Sequence, residues 1–191
     1  WKQLQKEYKD KYDMSWIGQY GFNNTYALIV REEAAKKYNL TKTSQLAEVS
    51  DELVFGGNSD YIERKDGFHL LCDTYGLKFK DVKDIDIGLK YEALKKGDID
   101  VSNGFTTDAQ LSNDNVRVLE DDKHLQVNYF CSNVVRNDTL KSHPGLEEAI
   151  MKLDHSITDK EMASLNYKVE VEGKEDVQVA KDYLTEKGII K

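Results

Sequence analysis

Apolar positions recur along the chain with two periods, and the switches between them separate helices from strands. In WKQLQKEYKDKY, residues 1–12, Trp1, Leu4, Tyr8 and Tyr12 return at spacings of three and four, the face of a helix. SWIGQYGF reads as a short strand entering a turn, and TYALIV as a near-continuous apolar strand of the kind buried on both faces. REEAAKKYNL is helical to about Asn39. KTSQLAEVSDEL offers Thr43 or Ser44 as the cap of a short helix, and LVFGGNSDY is a strand running into a glycine-rich loop. In DGFHLLCDTYGL, Phe68, Leu71, Cys72 and Tyr75 share a helical face that stops at Gly76.

The second half continues the alternation. VKDIDIG and LKYEALKKGDIDVSNGF give strand, helix, strand; VRVLEDD and QVNYFCSNVVR are further strands. HPGLEEAIMKLDHSI is a helix with Pro144 near its first turn, residues 158–166 form another, and DVQVAKDYLTEKGII closes the chain with apolar Val177, Ala180, Leu184 and Ile189. Strands alternating with helices predict an α/β sandwich with a largely parallel sheet, in segments that divide into two lobes.

Composition narrows what such a fold does. With 191 residues and 39% hydrophobic content the chain is long enough for one large domain or two small lobes. A formal charge of −8, with Lys and Arg scattered among Asp and Glu, disfavours nucleic acid as a partner. No apolar run of membrane-spanning length and no signal-peptide pattern occurs, so any export signal or anchor is expected outside this stretch. Cys72 and Cys131 stand far apart without metal-ligand spacing and read as two buried apolar thiols. No metal or cofactor is implied.

Candidate chemistry is sparse in nucleophiles and richer in rings. No GxSxG elbow is present, and FGGNSD at 55–60 lacks both the lysine of a phosphate loop and the spacing of a dinucleotide fingerprint, so it reads as a strand-end turn lining a cleft. The acidic run LEDDKH at 119–124 has no Asp-x-Asp-x-Asp-Gly continuation and reads as a solvated turn. None of His69, His124, His143 and His155 has a catalytic setting. GFTTD at 104–108 has two readings: polar groups collected at a strand end, where ligands of α/β sheets bind, or Thr106 or Thr107 capping DAQL with Phe105 in the core. In QVNYFCSNVVR, Tyr129 and Phe130 are adjacent in a strand, so one faces the core and the other is free to line a pocket. Asn23, Asn24 and Tyr26 sit at the mouth of TYALIV. Tyr26, Phe105 and Tyr129 together place three aromatics near strand ends, and a cluster of ring faces is what a quaternary ammonium requires, since it donates no hydrogen bond.

GFNNTYALIVRE, KDIDIGLKYEALKKGDIDV, TTDA, VLEDDKH, the VVR after the tyrosine strand and LNYKVEVEGK, taken together and in this order, resemble the substrate-binding proteins of osmoprotectant ABC importers, which bind glycine betaine, choline, carnitine and related trimethylammonium compounds. The resemblance covers essentially the whole chain. It implies a type II periplasmic-binding-protein-like α/β fold of two lobes joined by crossing hinge strands at FNNTYAL and NGFTTD. Residues 22–105 would form the inserted lobe II, and residues 1–21 and 106–191 would belong to lobe I. The resemblance assigns Tyr26, Phe105 and Tyr129 to an aromatic cage, with Phe105 at a position commonly tyrosine in relatives.

Asn23, Asn24, Thr106 and Thr107 are candidates for polar contacts to the ligand or for fixing the crossing strands, and Asp108 for adding negative potential or capping a helix. A permease is the implied protein partner, and the outer face of the membrane or the periplasm the implied location. Relatives begin with a further part of the first lobe, so that lobe is expected to be incomplete here, with an open sheet edge that invites self-association. The competing expectations are a self-associating fragment without ligand, and an enzyme or sensor on the same fold, which a nucleophile–base pair or a metal cluster would reveal.

Overall fold

A computed structural model describes residues 1–112 and 115–191. Helix α1 (Lys2–Tyr12) ends where Asp13 turns left-handed, and strand β1 (Met14–Ile17) follows. Strand β2 (Tyr26–Arg31) is buried from Ala27 to Val30, as its continuous apolar run predicts. Helix α2 (Glu32–Lys37) starts at once, with Glu32 and Glu33 in its first turn and Lys36 and Lys37 in its last, each complementing the helix dipole. The expected helix over 43–52 is instead two 3₁₀ turns, Thr43–Glu48 and Ser50–Glu52. Neither Thr43 nor Ser44 caps them: Gln45 Oε1 accepts the N–H groups of Thr41 and Lys42 at 2.7 and 2.8 Å.

Strand β3 (Val54–Gly57) contains both glycines that the sequence suggested were a turn. The reason is close packing, since a Cβ on Gly56 would lie 2.6 Å from Ile99 Cδ1. Helices α3 (Ser59–Glu63) and α4 (Phe68–Tyr75) follow, the latter stopping at Gly76 as expected. Strand β4 (Asp81–Asp84), helix α5 (Lys90–Lys96), strand β5 (Val101–Phe105) and strand β6 (Val116–Leu119) complete this stretch. The acidic run is not simply solvated: Asp121 accepts the N–H groups of Leu125 and Gln126 at 3.0 and 2.7 Å and the Tyr75 hydroxyl, while Asp122 accepts Ser44 N–H at 3.1 Å.

Among the described residues these strands form one sheet in the order β4-β3-β5-β2-β6. It is mixed, not largely parallel. β3 runs parallel to β4 and β5, but β2 is antiparallel to both β5 and β6 because it enters at the end where β5 leaves, Tyr26 opposite Phe105. One face carries the main core, including Leu28, Val30, Leu46, Phe55, Phe68 and Val101; the other buries Ile29 against Leu94 and Ile99. Each such side chain contributes about 1.5–3 kcal/mol on burial, which fixes the register of β2 on both faces at once.

Strand β7 (Asn133–Arg136) pairs antiparallel with β1, Met14 opposite Arg136 through Ile17 opposite Asn133. The expected strand over 126–136 is thus shorter, and residues 127–132 lie outside it. Tyr129 and Phe130 are both exposed, at 54% and 43%, so neither is core. Helix α6 (Asn137–Ser142), which the sequence did not announce, ends before His143, which leaves the helical region as residues preceding proline tend to, and the helix expected over 143–157 is the shorter α7 (Leu146–Met151), starting only after Gly145. Helix α8 (Asp159–Glu170) runs four residues beyond its expected end, and α9 (Asp176–Glu186) buries Val179 and Tyr183; Val177 is 75% exposed. Both cysteines are free and half-buried, and burial raises each thiol above its ordinary value, Cys72 to about 11.

Contacts group the chain into two compact units, residues 25–127 and residues 1–24 with 128–191. The second boundary falls at 127, beyond the 105 implied by the resemblance, because β6 zips onto β2 from Leu28–Leu119 to Arg31–Val116 and holds 106–127 to the sheet. No helix among the described residues is long and apolar enough to cross a membrane.

Candidate functional site

In the unit spanning 25–127, the open end of β2 beside β5 gathers the rings. The antiparallel register sets Tyr26 opposite Phe105, and their rings stack at 5.0 Å with an interplanar angle of 23°. Tyr26 also meets Tyr61 edge-on at 4.9 Å, and Tyr61, 2% exposed, stacks on Phe55 at 6.3 Å. Tyr26 is therefore the outer member of a column rooted in the core, and each aromatic pair adds about 0.5–1.5 kcal/mol beyond area burial. Burial, with the neighbouring Tyr26 adding to it, raises the Tyr61 phenol well above its ordinary value, so that phenol stays neutral. On the same strand face as Phe105, two residues earlier, Asn103 is 3% exposed and its Oδ1 has no hydrogen-bond partner.

Behind Phe105 lies a polar knot that no local motif announces. Asp108 Oδ2 accepts the Phe105 N–H at 3.0 Å, the Tyr91 hydroxyl at 2.6 Å and the Lys90 ammonium at 3.1 Å. The Asp108 carboxylate thus turns back onto β5. Lys90 is 5% exposed, its Nζ 5.1 Å from the Tyr91 ring centroid and 5.7 Å from that of Phe105. Gly104 makes room for this, since a Cβ there would lie 3.1 Å from Asp108 Oδ2 and 2.1 Å from Ile29 Cδ1. Thr106 Oγ1 accepts the Thr25 N–H at 3.2 Å and Thr106 N–H donates back to the Thr25 carbonyl at 3.0 Å, so Thr106 ties the two strand ends together; Thr107 is buried.

The remaining predicted residues belong to the other unit. Asn23 organises the backbone around Tyr129: its Oδ1 accepts Tyr129 N–H at 2.5 Å, its Nδ2 donates to Asn128 Oδ1 at 3.2 Å, and its own N–H donates to Asp159 Oδ1 at 2.6 Å. Asn24 N–H donates to the Tyr129 carbonyl at 3.2 Å. The predicted set thereby falls into two groups, Tyr26, Phe105, Thr106, Thr107 and Asp108 in one unit and Asn23, Asn24 and Tyr129 in the other.

Sequence reasoning missed Lys90, Tyr91, Tyr61 and Asn103. Only Lys90 left a signal: it stands four residues before Leu94 on the buried face of α5, where a lysine must find a partner. An apolar hollow of about 350 Å³ in the unit of residues 1–24 and 128–191, lined by Tyr20, Phe22, Met162, Val179 and Tyr183 among others, includes none of the predicted residues. Among the described residues no cluster of three or more His, Cys, Asp and Glu could hold a metal ion.

A family model described as the substrate binding domain of ABC-type glycine betaine transport system matches residues 1–186. The chain is 38% identical to the ergothioneine transport permease/ergothioneine binding protein EgtU of Helicobacter pylori (strain G27), over 97% of this chain and 34% of that protein. It is 36% identical to the carnitine transport binding protein OpuCC of Listeria monocytogenes serotype 1/2a (strain 10403S), over 95% and 59% respectively. The chain thus spans about a third of the first relative and about three fifths of the second. Among solved structures, a glycine betaine/carnitine/choline ABC transporter superposes with a TM-score of 0.90 at 38% identity, covering 97% of this chain and 68% of that one. The mixed α/β architecture is that of the type II periplasmic binding proteins.

Proposed function

The chain belongs to the family of substrate binding domains of ABC-type glycine betaine transport systems, and from that premise we propose that it is the solute-binding component of an importer, holding a small trimethylammonium compound against aromatic rings. The observation that carries this reading is the stacked Tyr26–Phe105 pair, anchored through Tyr61 to the core at a strand end. A quaternary ammonium offers no N–H and is held through ring quadrupoles, each well-placed ring contributing about 0.5–2 kcal/mol. Pre-stacked rings lose little freedom when the ligand arrives, which favours affinity.

Tyr129 is proposed as a third ring on the resemblance and on its exposure. Asn23, Asn24 and Thr106 are proposed to act by holding the strand ends in place, with Thr107 supporting them, and Asp108 through Phe105. The relatives named above are transport binding proteins, and no catalytic step is proposed. The protein would work on the extracytoplasmic side, passing solute to a permease. Self-association is a separate proposal, resting on the outer edges of the two-stranded β1–β7 ribbon; light scattering that shows only a 21.9 kDa monomer at high concentration sinks it.

Isothermal titration with glycine betaine, choline, carnitine and ergothioneine, with dimethylglycine as the demethylated control, tests the main reading. Saturable binding that favours a trimethylated compound over dimethylglycine supports it. Absence of binding to any of the four removes it.

A further inference from the structure

We propose that Lys90 and Asp108 form a charge-setting pair that positions Phe105 and determines how the site discriminates between zwitterionic and net-cationic trimethylammonium ligands. The inference rests on the ligand class proposed above and goes beyond it to the residues that set specificity. Neither residue needs to touch the ligand.

A buried lysine is costly unless paired, and Lys90 has Asp108 as its ion-pair partner at 3.1 Å. Its ammonium is also within cation–π range of Phe105, the ring that stacks on Tyr26. A protein cation therefore stands beside a ring proposed to receive a ligand cation. That arrangement is tolerable because Asp108 neutralises Lys90. The same Asp108 oxygen holds the Phe105 N–H and the Tyr91 hydroxyl, so one carboxylate both balances the charge and fixes the strand end from which the ring projects. Gly104 leaves the space for it. Asp108 is thus a positioning residue, with Oδ2 taken up by three protein donors.

Charge at the ring then sets ligand preference. Glycine betaine and choline carry the same headgroup, but the first has no net charge and the second carries one positive charge. Asp108→Asn leaves Lys90 unbalanced and makes the site more positive, which penalises choline more than glycine betaine. Lys90→Met leaves Asp108 unbalanced and does the reverse. Over separations of several ångströms with partial screening, each change should move the ratio of the choline to the glycine betaine dissociation constant by about three- to tenfold, in opposite directions.

Titration of both ligands into the unaltered protein, the two single variants and the double variant Asp108→Asn/Lys90→Met tests this, with far-UV circular dichroism confirming the fold of each. The expected result is opposite shifts in the singles and a ratio near the original in the double, whatever the absolute affinities. Equal loss of both ligands in each variant would mean a merely structural role and overturns the proposal while leaving the ligand class intact. If Asp108→Asn does not fold, the shift in Lys90→Met and its reversal in the double variant decide the matter. Failure of the unaltered protein to bind either ligand or any other trimethylated compound overturns the ligand class, and this pair's role with it.

Discussion

Tyr26 and Tyr129 have different surroundings, so their loss should be distinguishable. Tyr26 contacts Tyr61 and Phe105 and packs against the main core, whereas Tyr129 is 54% exposed. Tyr26→Ala should weaken binding of a trimethylammonium ligand and also lower stability by about 2–4 kcal/mol through the cavity it leaves. Tyr129→Ala should weaken binding by roughly 1–3 kcal/mol with the denaturation midpoint nearly unchanged. Titration beside urea unfolding measures both quantities; unchanged affinity in Tyr129→Ala would remove that ring from the site. Gly104→Ala probes the β5 backbone opposite Ala27. Its new methyl would meet Ile29 Cδ1 at 2.1 Å in a strand interior, so a loss of about 1–3 kcal/mol is expected in the same unfolding experiment, and full stability would show that Ile29 can move aside.

Elements were legible where one period ran uninterrupted and a residue with a specific conformation ended it. Helix α4 stops at Gly76 with φ +71°, and β2 reads as a doubly buried strand and is one. Legibility failed where the outcome depends on a distant neighbour. The Gly56–Gly57 stretch became strand because Ile99 approaches it, whereas residues 127–132 meet segment 20–24 through an isolated bridge, Asn23 opposite Phe130, with backbone N–H groups of Tyr20 and Asn24 donating to the Cys131 and Tyr129 carbonyls. The same division holds for the site: Tyr26 and Phe105 stood out as rings at strand ends, but the partner of Lys90 lies eighteen residues away, and no local pattern discloses it.

Helix α8 joins a local signal to a distant one. Thr158 caps it through Glu161 N–H at 3.3 Å, and Glu161 returns the bond to Thr158 N–H at 2.9 Å while pairing with Lys187 at 2.5 Å after α9. Thr158→Ala should cost about 1 kcal/mol by removing the cap. The Lys187 hydrogen bond first, and then those from Thr158, hold the Glu161 carboxyl down to about 2, from an ordinary value of 4.5. A depressed carboxyl stabilises the fold fully above its unfolded value, and that contribution disappears as pH falls from about 4.5 towards 2. Acid unfolding followed by circular dichroism should show this window in the parent and a shallower slope in Glu161→Gln; identical slopes would mean the pair is screened out by solvent.

At the scale of the whole molecule, residues 25–127 have what an independent folding unit needs. Their sheet has five strands among the described residues, with an apolar cluster on each face, and the segment's two ends are already joined: Thr25 Oγ1 donates to the Val127 carbonyl at 2.7 Å. Adjacent ends mean that excision cuts the chain without opening the sheet, and a segment of this length lies within the range of autonomous domains. The fragment 25–127 expressed alone should therefore unfold in one cooperative transition, and should retain the Tyr26–Phe105 pair with its Lys90–Asp108 support. Thermal circular dichroism measures the transition. A non-cooperative melt would show that this unit depends on the rest of the chain, and would place part of the stability of the ring pair outside the unit that contains it.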